Sequence, residues 1–224
     1  MQLTPRDRLI LDQVARYRLT TNAILHATLF ATTRLDAVMK VTSRLVRDGW
    51  LEAFPYIGSR SYFVLTRFAT RHCGVGEDRA LPLGPQALPT EAAVLVYCLS
   101  SSRKRQRLTP NELSQQFSTS PRSLLSVPHA MDSQGIVELI RVDLGAPADH
   151  VARKCRVDIT RRMAVPDLEA TIDTGRLKLV VLTPSSDKAA AIRRSLAAKE
   201  FPETLTIHLA VIPDLLHLEA DYRA

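Results

Sequence analysis

Three cysteines, Cys73, Cys98 and Cys155, are all this 224-residue chain has. An odd number at such wide spacing builds no disulfide framework and no metal-ligand pattern, so reduced thiols in a cytoplasmic protein are expected. Long apolar runs are also missing. None approaches the roughly 18 residues of a membrane span. Asp7 and Asp12, inside the first expected helix, do not fit a secretory leader. There is no glycine-rich phosphate loop, no nucleophile elbow and no paired Cys/His metal motif. These absences leave a globular protein with no recognisable catalytic or cofactor signature, and no cofactor, metal or enzymatic activity is expected.

What is present is basic charge, concentrated at one end. The net charge is +7. Residues 1–75 hold eleven Lys/Arg against five Asp/Glu, which leaves only +1 for the other 149. A local basic excess is what neutralising a phosphate backbone requires.

The same 75 residues carry a continuous pattern. Thr4 caps a helix, Pro5 occupies its first position, and Asp7 completes a capping box. Leu9, Ile10, Val14 and Tyr17 recur at helical spacing. Thr20-Thr21 caps a second helix reaching Phe30, with Ile24, Leu25 and Leu29 turned to the first. A third helix, about Thr33 to Asp48, stops at Gly49. A strand from Leu51 to Tyr56, a turn at Ile57-Gly58-Ser59 and a strand from Arg60 to Leu65 form a hairpin. Phe54 and Phe63 should pack inward, and a short helix from about Thr66 to Cys73 closes the segment.

Three helices and a two-stranded ribbon predict a winged helix-turn-helix, which makes double-stranded DNA the expected partner. In the third helix, Leu35, Val38, Val41, Leu45 and Val46 form the expected buried stripe. Thr33, Ala37, Lys40, Arg44 and Arg47 fall on the other side. Thr32, Thr33, Arg34, Ala37 and Lys40 are the candidates near bases, and Arg44 and Arg47 the candidates for phosphates. Ser59 and Arg60 at the ribbon tip suit a phosphate or minor-groove contact. An ordinary solvated basic face is the alternative for these cations.

Residues 76–90, with Gly76, Pro82, Gly84, Pro85 and Pro89, read as a linker. Residues 91–224 read as an α/β domain with a small mixed sheet, giving an α+β protein overall. A buried apolar helix runs from Pro89-Thr90 to Leu99. The cluster Arg103-Lys104-Arg105-Gln106-Arg107 is either a DNA backbone contact or a solvated loop. Thr109-Pro110-Asn111-Glu112 starts a helix reaching Phe117. Strands are expected over Ile136–Leu144, Leu177–Leu182 and Leu205–Val211. Helices are expected over Pro147–Met163, Pro166–Ile172 and Ser185–Lys199, with a last one opening at Pro213. His150, Arg153, Lys154 and Arg156, flanked by Asp149 and Asp158, share one helix and suit a solvent face.

The run Thr4-Pro-Arg-Asp-Arg, with a winged helix ending near Leu65-Thr66, resembles the opening of the replication-relaxation family. These are DNA-binding proteins of bacterial plasmids and other mobile elements, and the resemblance continues into the second half. It implies a C-terminal fold like that of restriction-type nucleases, whose carboxylates hold Mg²⁺. Here Pro128-His129-Ala130 stands where that signature has Pro-Asp, and Arg141-Val142-Asp143 where it has the acidic strand residue. His129 and Arg141 replace two carboxylates, Asp143 remains, and Lys154 follows on the next helix.

The resemblance thus implies a nuclease-like fold without nuclease activity, and a homodimeric, sequence-specific regulator of transcription or replication. Two alternatives remain open. One is a Mg²⁺-dependent nuclease using Asp132, Glu138, Asp143 or Asp149. The other is a winged helix that serves as a protein-interaction module.

Overall fold

A computed structural model of the chain describes residues 3–99 and 104–223, with side chains up to 218. Arg103, of the expected basic cluster, lies outside the described residues. The protein is α+β and divides into two compact units, residues 1–100 and 101–224.

The first unit begins with α1 (Pro5–Tyr17), α2 (Asn22–Leu29) and α3 (Leu35–Arg47). An antiparallel hairpin of β1 (Leu51–Pro55) and β2 (Ser61–Leu65) follows, then α4 (Arg67–His72). Local chemistry sets the starts. Thr4 and Asp7 form the reciprocal capping box, Thr21 accepts from the Ile24 amide, and Thr66 accepts from the Ala69 amide. The core joins Ile10, Leu11 and Val14 of α1 with Leu25 and Phe30, Val38 and Leu45, Trp50 and Leu51, and Phe63 and Leu65. Each such aliphatic side chain contributes about 2 kcal/mol on burial.

Phe63 is buried as expected, whereas Phe54 is half-buried and stacks on Tyr62 with ring centroids 5.6 Å apart. Register explains the split. Ala53 pairs with Phe63 and Phe54 with Tyr62, so Phe54 and Phe63 lie on opposite faces of the ribbon.

Beyond α4, a 3-10 turn (Glu77–Ala80) leads to α5 (Ala87–Leu99), which packs against α1 and α2. The expected linker 76–90 is therefore structured. Arg18, with φ 71° at the end of α1, bonds the Asp78 carbonyl, and the Tyr62 hydroxyl accepts from the Leu83 amide at 3.0 Å. Residues 91–99, read as the start of the second domain, pack in the first unit because α5 continues its helical core.

The second unit holds a five-stranded mixed sheet in the order β3 (Arg105–Arg107), β4 (His129–Asp132), β5 (Val137–Val142), β6 (Leu177–Thr183), β7 (Thr206–Val211). β3, β4 and β5 are antiparallel, and β5, β6 and β7 parallel. Two helices, α6 (Pro110–Gln116) and α7 (Arg122–Leu125), precede β4. Crossovers through α8 (Ala148–Met163) with α9 (Pro166–Asp173), and through α10 (Ser186–Ala197), connect the parallel strands. α11 (Asp214–Arg223) ends the unit.

Val137, Leu139, Leu177, Leu179 and Val181 form one sheet face, packed with Cys155 and Ile159 of α8, Leu168 and Ile172 of α9, and Ile192 of α10. The opposite face is apolar at Ile140, Val180 and Leu182 and carries two ion pairs toward β3 and β4. Arg105 meets Glu138 at 2.9 Å, both buried, and Lys178 meets Asp132 at 3.4 Å. Of the cluster expected as either a DNA backbone contact or a solvated loop, Arg105–Arg107 form strand β3, and His129–Asp132 form strand β4, which the sequence did not predict.

Candidate nucleic-acid interface

Thr42 sets the rotation of α3. It is buried and donates to the Asn22 side chain at 2.8 Å, so the inner stripe is Val38, Thr42 and Leu45. Leu35 does not belong to that stripe, correcting the sequence expectation. As the first residue of the helix it precedes the turn that packs, and it is 43% exposed. Val41 and Val46 are half-buried at the margins.

The outward face consists of Arg34, Leu35, Asp36, Met39, Lys40, Ser43 and Arg47. Sequence reasoning missed Asp36, Met39 and Ser43 there, because an apolar Leu35 was counted as core and a polar Thr42 was not. Of the expected candidates, Thr32, Arg34, Lys40 and Arg47 are exposed, and Thr33 and Ala37 are half-buried. Thr33 shapes the turn into the helix. Its hydroxyl donates to the Phe30 carbonyl at 2.9 Å, and its own carbonyl lies 2.8 Å from His26 Nε2. Arg34 stands at the N-cap without a side-chain capping bond, 3.5 Å from the Asp36 carboxylate. The first amides of α3 therefore lack a side-chain cap, the geometry that suits an anion.

Arg44 is placed differently from Lys40 and Arg47. Its guanidinium turns inward and donates to the Asp7 carboxylate, which is fully buried. Burial raises the Asp7 carboxyl pKa. Hydrogen bonds from the Thr4 backbone and side chain, together with Arg44, outweigh that and hold it below the ordinary value. Arg44 is thus a clamp between α1 and α3, its charge already matched.

Next to this clamp, Arg6 lies over the Phe30 ring at 5.5 Å, at the turn that enters α3. It is an exposed cation that lies within the run Thr4-Pro-Arg-Asp-Arg but is not among the expected DNA-contacting residues.

The hairpin tip closes on Gly58, at φ 60°. Ser59 and Arg60 are exposed there. The Arg60 Nε donates to the Ile57 carbonyl at 3.3 Å, and its guanidinium lies 5.7 Å from the Tyr56 ring centre. The stem is thereby held to the tip while the cationic end faces solvent.

In the second unit every acidic candidate is committed to a partner. Asp132 accepts from the Gln134 and Ile136 amides and meets Lys178. Glu138 holds Arg105, and Asp149 meets Lys199 at 2.9 Å. Asp143 accepts from the Gly145 and Ala146 amides at 3.1 Å and from Thr183, with Lys188 at 3.8 Å. The lysine beside Asp143 is therefore Lys188 of α10, while Lys154 is exposed on α8. No local signal reveals this, since 45 residues separate Asp143 from Lys188.

His129 and Arg141 face the helix-covered side. Arg141 and the fully buried Arg162 both reach Asp158, which is buried rather than solvent-facing. His129 Nδ1 donates to the Val127 carbonyl at 2.7 Å, while Nε2 has no hydrogen bond. Burial, then the Arg162 charge, lower the His129 pKa to about 3, so the ring is neutral at physiological pH.

Of the neighbouring basic residues on α8, Arg153 meets His150 and Arg156 meets Glu200. Cys98 and Cys155 are buried free thiols and Cys73 a half-buried one. Among the described residues, no helix is long and apolar enough to cross a membrane, and no three His, Cys, Asp or Glu side chains gather to hold a metal ion. Compared with known proteins, the chain matches no family model, no curated protein and no solved structure.

Proposed function

We propose that residues 1–75 form a winged helix that binds double-stranded DNA in a sequence-specific manner, and that the chain regulates transcription or replication, as the replication-relaxation resemblance implies. The observation that carries this is the solvent face of α3. Its capless start, exposed Arg34, Lys40 and Arg47, and small polar Thr32 and Ser43 form a ridge suited to a major groove. Arg60 at the hairpin tip and Arg6 at the start of α1 extend the cationic surface for phosphates on either side.

The second unit acts as a dimerisation or partner platform on a nuclease-like scaffold, not as a nuclease. The carboxylates such chemistry needs are each neutralised by Lys178, Arg105, Lys188 or Lys199, so little negative charge is left to concentrate Mg²⁺. A twofold dimer would place two α3 helices about one DNA turn apart and select an inverted repeat.

The test is enrichment of random duplex DNA on the purified chain, followed by anisotropy titration of the winning sequence at several salt concentrations. An inverted repeat should emerge, with affinity falling steeply as salt rises. Lys40→Glu should abolish binding. Salt-insensitive retention, or none, overturns the reading.

A further inference from the structure

Two large apolar side chains stand out on the cationic face of α3. Leu35 is 43% exposed and Met39 is 46% exposed. One helical turn apart, they share one side of the helix and form a short apolar ridge. Single exposed apolar residues are common on protein surfaces. This pair has a polar and cationic setting, because Arg34, Lys40 and Ser43 surround it on the same outward face. The one acidic neighbour, Asp36, is matched by Arg34 at 3.5 Å, so the ridge is not edged by a free negative charge.

A surface that is cationic at its margins and apolar along its crest suits a polyanion that carries apolar groups in a recessed channel. The major groove of duplex DNA is such a channel, and its apolar feature is the C5-methyl of thymine. Arg44 is withdrawn to Asp7 and takes no part in this face.

We propose that Leu35 and Met39 read thymine methyl groups in the major groove, making T·A pairs the specificity-determining positions of each half-site. This rests on the DNA-binding reading above. The mechanism is transfer of methyl and side-chain surface out of water, with no hydrogen bond required. Burying one methyl is equivalent to about a fourfold change in affinity.

The experiment starts from the duplex enriched on the full-length protein. Each thymine is replaced in turn by uracil, which removes only the methyl. Uracil at one or two positions per half-site should weaken binding about fourfold each, and at the remaining positions should change nothing. For Leu35→Ala/Met39→Ala, the thymine and uracil duplexes should bind equally.

An enriched site without thymine, uracil tolerated everywhere, or a thymine preference that survives the double alanine variant each overturn the proposal while leaving DNA binding in place. Failure to retain any duplex overturns the DNA-binding reading itself. The uracil series uses the unaltered protein, so it does not depend on how the variant folds.

Discussion

A buried carboxylate is safe only while its partners stay, and the Asp7 carboxylate accepts from two, the Thr4 amide and the Arg44 guanidinium, while the Asp7 amide donates to the Thr4 hydroxyl. Removing Arg44 strands a charge in the core, and removing Asp7 frees a half-exposed arginine at lower cost. Arg44→Met is expected to lose about 2–4 kcal/mol in urea denaturation, with most of that restored in Asp7→Asn/Arg44→Met. Because the Asp7 carboxyl lies below its ordinary value, its contribution is intact at neutral pH and fades as pH falls below about 4.

His129 works over another window. Its folded pKa is about 3, against 6.5 in the unfolded chain. Between those values the unfolded chain binds the extra proton, so stability falls as pH drops, by up to about 1.4 kcal/mol per pH unit. Comparing denaturation midpoints at pH 7 and pH 5, His129→Gln should flatten this slope whatever uniform loss it brings. An unchanged slope would show that His129 is not the titrating group.

Helices that announce themselves locally are legible without a structure. Thr4-Pro-Arg-Asp and Thr109-Pro-Asn-Glu carry complete capping boxes, and both helices start where those residues say. Rotation of a helix about its axis is harder to read. For α3 it depends on one polar residue, Thr42, finding a partner 20 positions away in Asn22. β3 and β4 were illegible for a related reason. They are three and four residues long, and only pairing with each other and with β5 makes them strands.

Two predictions belong to elements. Gly49 ends α3 at φ 75°, with open space where a Cβ would stand. Gly49→Ala should therefore cost about 1 kcal/mol through backbone strain alone, read as a fall in Tm. In the hairpin, Arg60→Ala should weaken binding across all DNA sequences alike and lower the salt slope by about one. Loss of sequence preference instead would make Arg60 a base reader.

At the scale of the chain, the first unit extends past the expected boundary at residue 75. Leu83 bonds Tyr62, Arg18 reaches Asp78 and Glu91, and α5 packs on α1 and α2. A chain ending at residue 75 would expose the surfaces of α1, α2 and β2 that these residues cover. In thermal melts, residues 1–100 should unfold more cooperatively and at higher temperature than residues 1–75. Equal melting would mean that α5 contributes nothing to this unit. The sequence misled here because Pro82, Pro85 and Pro89 are linker-like in composition, while what orders them is distant in the chain.

The inward turn of Arg44 has a consequence for how the proposed DNA reader would diversify. Holding α3 is assigned to side chains that point in: Val38, Thr42, Arg44 and Leu45. Those that point out, from Thr32 and Arg34 through Leu35, Asp36, Met39, Lys40 and Ser43, bear little of the fold. They form an interchangeable cassette. Under the proposed DNA-binding function, new targets would become reachable by exchanging these letters as a set, with the frame beneath left to keep the helix in place.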